Sequence, residues 1–343
     1  MTYNREVKNS SFRVGTLVAL VVILAVVAFL AWNSIARNSA PPDTVRIGAS
    51  AQQITGLVAI ADKAGDFLKE KVAAQITQYK SGQLALADLE AGKVDIATVA
   101  ETPIALDGFK RDDLRVIATI GSTDKEEKVV ARADHGIAVP SDLKGKKIAT
   151  QKQATSPHFF LHLFLTKYGM SDKDMTISFN DSKDVVGKLV SGEVDAIAMS
   201  EPYGSEAISK LGSNAIIFRN EGLYNRTFNI VTTAKFASEH PLAIERVLRA
   251  LIDAEALTKS DAPSAIQMVA DEYKIPLSDV KSTWSDLVLK VSLDQSLLSA
   301  LDDQARWMQE GGSVKAASIP NFLPMMYTQG LDAVKPPAVT IIR

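Results

Sequence analysis

Two glutamates occupy equivalent places in two copies of one pattern. The first copy reads Leu89-Glu-Ala-Gly92-Lys-Val94-Asp95-Ile-Ala-Thr-Val-Ala-Glu101. The second reads Leu189-Val-Ser-Gly192-Glu-Val194-Asp195-Ala-Ile-Ala-Met-Ser-Glu201. A carboxylate pair can run acid–base chemistry when its environments push the two pKa values apart. Nothing beside them supplies a reaction partner. The chain has no phosphate-binding Gly-Lys-Thr loop, no His-Glu-x-x-His helix and no Gly-x-Ser-x-Gly elbow. What remains for Glu101 and Glu201 is hydrogen bonding to a ligand amine or amide, or bridging two lobes. A second segment, Lys152-Gln-Ala-Thr155-Ser156-Pro157-His158-Phe-Phe-Leu-His162, follows a strand-like run and opens a helix. Ser156 suits an N-cap and Pro157 the first helical position. Free backbone N–H groups and the helix dipole favour an anion there, and Thr155, Ser156 and His158 add side-chain donors. The plainer alternative is a capped helix buried against its own lobe. His158 and His162 stand four apart, half of a metal site, without a third ligand. Phe159, Phe160, Leu163 and Phe164 mark the same helix as core, so no metal is expected. Tyr203 offers an aromatic wall.

The elements that must position these groups follow from the repeat. The two copies are offset by 100 residues, and five of the thirteen positions are identical. Ser81–Ala91 and Ser182–Ser191 have helical apolar spacing. Gly92 and Gly192 stand where a helix ends on a left-handed residue. Val94–Ala100 and Val194–Met199 are short apolar runs, as expected of parallel strands covered on both faces. Upstream, Val45–Ser50 resembles Lys147–Gln151, so Ser50-Ala-Gln52-Gln53 matches the loop before Thr155. Each copy therefore predicts strand, helix, strand, helix, strand with parallel strands. Ligands bind beyond the carboxyl ends of such strands, which is where Glu101 and Glu201 lie. Lys128–Ala133 and Phe228–Thr233 read as crossings between lobes and hinge candidates. The expected domains are residues 44–133 plus 230–343 for lobe 1 and 134–229 for lobe 2. After Pro241 the pattern is mostly helical, with helices over Pro263–Tyr273, Leu277–Leu287 and Gln295–Glu310 packing back on the first lobe.

Composition narrows the function. The 343 residues are 46% apolar and 23% charged, as in globular chains. A net charge of −2 gives no reason to expect a nucleic-acid surface. The absence of cysteine excludes disulfides, cysteine-ligated zinc, iron–sulfur clusters, thiol nucleophiles and a lipidated-cysteine anchor. Val14–Trp32 is nineteen uncharged residues behind Arg5, Lys8 and Arg13. As a helix it spans roughly 28 Å, close to a bilayer core. The basic flank predicts a cytoplasmic tail at 1–13, a transmembrane helix or signal region at 14–32, and a spacer at 33–43. Ser34-Ile35-Ala36 and Asn38-Ser39-Ala40 leave cleavage open. Either way the remaining 300 residues are extracytoplasmic.

Taken in order, Asp142-Leu-Lys-Gly145-Lys146-Lys-Ile-Ala, Ala154-Thr-Ser-Pro-His158, Leu189-x-x-Gly-x-Val-Asp195 and Glu201-Pro202-Tyr203 form a series. The series resembles the nitrate/sulfonate/taurine-type substrate-binding proteins of ABC importers, which include binders of thiamine's pyrimidine precursor. The resemblance covers roughly residues 44–325. It implies an α/β type II periplasmic-binding-protein fold, two similar lobes with a ligand cleft. It implies a solute trapped between lobes and delivered to a membrane permease driven by a cytoplasmic ATPase. Carried over by position, it places Ser50, Gln52 and Gln53, Glu101 and Thr102, Thr155, Ser156 and His158, and Glu201 and Tyr203 at the ligand. Gln153-Ala154 stands where the family commonly has a glycine. No cofactor is implied. The enzymatic relatives, thiamine-pyrimidine synthases, use a cysteine-rich segment that this chain lacks, so no enzyme is expected. A helix start that favours an oxyanion and two glutamates that favour an amine together suggest a taurine-like sulfonate. The other readings are a membrane-tethered solute sensor of the same fold and a binder of nitrate or a pyrimidine.

Overall fold

The computed structural model describes residues 42–219 and 222–342. The expected tail, the apolar run Val14–Trp32 and nearly all of the spacer lie outside the described residues. Among the described residues no helix is long and apolar enough to cross a membrane.

The repeat is visible as architecture. In the first copy, β1 (Asp43–Ser50), the Gly56–Lys63 helix, β2 (Val72–Tyr79), the Gly82–Glu90 helix and β3 (Ile96–Ala100) follow one another. β4 (Leu114–Thr123) and β5 (Lys128–Arg132) come next. The second copy is β6 (Lys147–Thr150), the Ser156–Lys167 helix, β7 (Thr176–Phe179), the Ser182–Ser191 helix and β8 (Ala196–Met199). Then come β9 (Ala215–Phe218), β10 (Arg226–Thr233) and, near the end, β11 (Val288–Ser292). They form two sheets, one per lobe, ordered β11-β4-β10-β3-β1-β2 and β7-β6-β8-β5-β9. β3 and β8 are buried along their whole length, as strands with two covered faces must be.

The repeated Gly-x-Val-Asp has a mechanical reason. Asp95 accepts the Arg46 N–H at 2.8 Å on Oδ2, and returns its own N–H to the Arg46 carbonyl at 2.8 Å. Asp195 accepts the Lys147 N–H at 2.7 Å on Oδ2 and returns its N–H to the Lys147 carbonyl at 2.9 Å. Each aspartate thus locks the third strand of its copy to the first, in register (Ile47 opposite Ile96, Ile148 opposite Ala196). Gly92 (φ 68°) and Gly192 (φ 79°) turn the preceding helix into that lock from the left-handed region, where glycine carries no Cβ penalty. His135 Nδ1 lies 2.6 Å from the other oxygen of Asp195.

The sheets are mixed, not wholly parallel as expected. β10 runs antiparallel between β3 and β4, and β5 antiparallel between β8 and β9. Both strands arrive from the other lobe. They enter at the carboxyl ends of the parallel strands (Phe228 opposite Ala100, Lys128 opposite Met199), so they can only run the opposite way. The chain changes sheets between Thr123 and Lys128 and between Phe218 and Arg226. The segments read as crossings are the strands that receive them. After β10 the Pro241–Ser260 helix packs on the Gly56–Lys63 helix and β11, and the Gln295–Glu310 helix packs on the Glu101–Gly108 helix. β11 lies between two of the helices in a return that was expected to be mostly helical. Its pairing with β4 closes one edge of the first sheet.

The Asp195 carboxyl is held below its usual range. Burial pushes it up, but the Lys147 N–H and His135 outweigh that. A carboxylate depressed on folding stabilises the fold above its unfolded value, about 3.9, and loses that contribution as pH falls through its folded value. Asp195→Ala is expected to cost about 2 kcal/mol in urea unfolding at neutral pH. The variant should also show a shallower loss of stability below about pH 4 than the parent. Equal acid slopes would refute the lock.

Candidate functional site

A cleft of about 450 Å³ opens where the carboxyl ends of the two sheets meet. Five helices begin at its wall: Gly82–Glu90, Glu101–Gly108, Ser156–Lys167, Ser182–Ser191 and Tyr203–Leu211. At none of them does the N-cap side chain close the first turn. The positive ends of five helix dipoles therefore face one space, an arrangement suited to an anion. The Ser156–Lys167 helix starts at Ser156 itself, with Thr155 as the flanking residue and Pro157 in the first turn. Thr155 Oγ1 donates back to the Lys152 carbonyl at 2.8 Å. Ala154 sits at φ 58°, a left-handed conformation that glycine adopts more easily. Phe160 and Phe164 are buried and seat this helix in its lobe. Each such ring contributes roughly 1.5–3 kcal/mol.

Gln52, Thr155, Ser156, Glu201 and Tyr203 line the cleft. Ser50 lies just beneath the wall. Its N–H donates to Thr98 Oγ1 at 2.7 Å and its Oγ accepts from Gln52 Nε2 at 2.7 Å, so it orients Gln52. Gln53 faces away, accepting from Thr283 Oγ1 at 2.7 Å. Glu101 is wholly buried under the floor. Its Oε2 accepts from Thr227 N (2.8 Å) and Oγ1 (3.0 Å), and its Oε1 from the Tyr224 hydroxyl and from Gln304 Nε2 (3.3 Å). A carboxylate so fully hydrogen-bonded is structural, and its partners lie more than 120 residues along the chain. Thr102 meets Ser156 across the lobes, hydroxyl to hydroxyl, at 3.0 Å. His158 lies behind the cleft, edge-on to Phe179 and Trp307. Its Nδ1 accepts the Ala154 N–H at 3.4 Å. It supports the loop that carries Thr155.

The two glutamates thus differ from their expected role. Glu201 does face the cleft, but it pairs with the buried Lys128 and takes the Ser205 N–H at 3.0 Å and the Ser205 hydroxyl at 2.9 Å. Burial pushes its carboxyl up, yet Lys128 and Ser205 outweigh that and hold it below the ordinary range. Glu101 is taken up wholly inside the protein, and Glu201 already shares its charge with Lys128.

Sequence reasoning missed Arg226, along with Lys80, Lys152, Ser200 and Phe228 in the lining. Arg226 lines the cleft at the start of β10, with its guanidinium carbon 5.0 Å above the Phe228 ring. Its side chain is only 11% exposed, and Nη1 pairs with Glu126 at 2.5 Å while Glu127 stands 3.9 Å away. Burial opposes its charge, but those two carboxylates outweigh it and hold it firmly protonated. Nε is buried without a hydrogen-bond partner. Glu127 accepts from Ser200 Oγ at 2.8 and 2.9 Å, and burial pushes its carboxyl up to about 7. The signal was faint: a basic residue at one crossing and two acidic residues at the other.

Residues 51–261 match the family model described as NMT1/THI5 like. A Bacillus subtilis protein named for the binding of aliphatic sulfonates is 28% identical over 260 residues, which cover 74% of this chain and 77% of that protein. The periplasmic aliphatic sulphonate binding protein SsuA from Escherichia coli superposes with a TM-score of 0.71 at 20% identity, over 83% of this chain and 98% of SsuA. The periplasmic nitrate-binding protein NrtA from Synechocystis does so with a TM-score of 0.61 at 12% identity, over 87% and 90%. These superpositions establish the two-lobed α/β periplasmic-binding-protein fold.

Burial pushes the His158 imidazole down to about 4, against the milder pull of Asp172. A histidine held neutral by the fold costs stability once the unfolded chain takes up its proton. Stability should therefore fall as pH drops from about 6.5 towards the folded value. His158→Gln is expected to flatten that part of the stability–pH curve, measured by thermal melts. An unchanged curve would show that His158 is free to protonate in the fold.

Proposed function

The chain belongs to the NMT1/THI5-like family, and from that premise we propose that it is the extracytoplasmic solute-binding component of an ABC importer, closing on an organic sulfonate. The observation that carries this reading is the cleft's charge arrangement. Arg226 and five helix starts face the space between the lobes, while Glu101 and Glu201 are both engaged elsewhere. A sulfonate is a permanent anion with three acceptor oxygens, which several N–H and hydroxyl donors can share. Ser156, Ser200 and the neighbouring helix amides surround the same space as Arg226. Phe228, Pro103, Pro157 and Pro202 supply apolar wall for an alkyl tail. A planar nitrate would use little of a cleft this size, which favours the organic anion. The engaged glutamates remove the reason to prefer an amine-bearing solute such as taurine over a plain alkanesulfonate.

The two chain crossings are the only strand-to-strand links between the sheets among the described residues, which suits hinge closure around a solute. In this reading the closed form is presented to a membrane permease with its cytoplasmic ATPase. Residues 14–32 deliver the domain across the membrane, as a retained anchor or as a removed signal. Lobe 1 comprises the first sheet with the carboxyl-terminal helices, and lobe 2 the second sheet.

Calorimetry tests the proposal. Butanesulfonate is expected to bind at least as tightly as taurine and well above nitrate. Arg226→Gln should weaken butanesulfonate at least roughly tenfold, as loss of a charge-assisted contact does. Small-angle scattering should show compaction on saturation. Absence of heat with every sulfonate would sink the reading.

A further inference from the structure

We propose that the preferred solute carries a second anionic group at the end opposite its sulfonate, received by Lys80 at the mouth of the cleft. The inference rests on the sulfonate reading above and narrows its substrate class. Among the described residues three cationic side chains line the cleft, Lys80, Lys152 and Arg226, beside two carboxylates, Asp181 and Glu201. All but one are matched within the protein. Arg226 has Glu126 at 2.5 Å, Glu201 has Lys128, and Lys152 stands 3.8 Å from Asp181. Lys80 has no carboxylate partner among the described residues.

The repeat sharpens this imbalance. By the 100-residue offset Lys80 matches Asn180 and Ser81 matches Asp181, so the base of lobe 1 and the acid of lobe 2 stand one position apart in the same turn between strand and helix. In lobe 2 the base on the neighbouring loop, Lys152, has that acid to pair with. In lobe 1 the matching loop offers neutral Gln52, and the strand end carries the base alone. One lobe has a complete ion pair at the mouth; the other has half of one. Ser81, next in the chain, flanks the start of the Gly82–Glu90 helix, so the helix dipole adds to the positive potential at Lys80. An anionic group there is favoured twice. Lys152 faces it from the opposite lobe in the same cleft, so the charge would be shared across the gap when the lobes are shut. Arg226 remains for the sulfonate. The solute class this defines is a short sulfonate with a terminal carboxylate.

The test compares two solutes of equal length by calorimetry on the full-length chain at low salt: propane-1-sulfonate and 3-sulfopropanoate. The expected result is that 3-sulfopropanoate binds roughly tenfold tighter, with an advantage that shrinks as salt is added. Lys80→Ala should remove most of that advantage, and Lys80→Arg should keep it. The proposal is overturned if propane-1-sulfonate binds and 3-sulfopropanoate binds no tighter. It is equally overturned if Lys80→Ala leaves the ratio of the two affinities unchanged. If neither sulfonate binds, both this inference and the functional reading beneath it fall.

Discussion

Each lobe depends on one carboxylate clamped to one backbone amide. Asp95 holds Arg46 and Asp195 holds Lys147, and in both cases the bond is doubled by the returning N–H. The clamp fixes the third strand beside the first, in parallel and in register. Strand direction then settles the rest. When parallel strands end at one edge, the helices that follow them must begin there. Five helix starts and the loops that hold Gln52, Lys80, Thr155 and Tyr203 are brought to one seam by that rule. The clamp itself is at the opposite ends of the strands, away from the cleft.

Charge placement around the seam follows from the cost of burying ions. An unpaired carboxylate or guanidinium in the interior is strongly unfavourable. Glu101 is stabilised by four hydrogen-bond donors from Tyr224, Thr227 and Gln304. Lys128 and Glu201 neutralise each other. Arg226 is held between Glu126 and Phe228. Glu127 lies closest to the limit, buried with another acid nearby, and burial moves its proton affinity towards neutrality. The positive field that remains in the cleft comes from helix ends, from Lys80 and from the Arg226 guanidinium.

Much of this was legible in the sequence because it is local. The 3.6-residue spacing of Leu86 and Leu89, or of Val185, Val186 and Leu189, announces a helix without reference to anything distant, and the structure buries all five. Gly92 and Gly192 report a left-handed turn for the same reason. The membership of Gln52, Thr155, Ser156, Glu201 and Tyr203 in the cleft follows from strand ends, which the repeat locates. Interactions across long separations were not legible. Nothing near Glu101 signals that Thr227 and Gln304 will surround it, or that Gln53 will turn to Thr283. The antiparallel entry of β5 and β10 is set by where the chain returns from the other lobe, which no periodicity encodes. Arg226 belongs to that group, because its role exists only once two crossings meet.

Both crossings join the sheets at the carboxyl ends of the strands, beside Arg226 and near the Thr102–Ser156 contact. The pivot therefore sits next to the load. A rotation about it displaces nearby atoms little and the far rims a great deal. Under the proposed closure, the floor beside Arg226 would keep nearly the same shape whether the lobes gape or shut, and the rim at Lys80 and Lys152 would change most. On the proposed function, capture of the head and inspection of the tail would then be successive events, the first made by a nearly stationary anvil and the second by a swinging jaw.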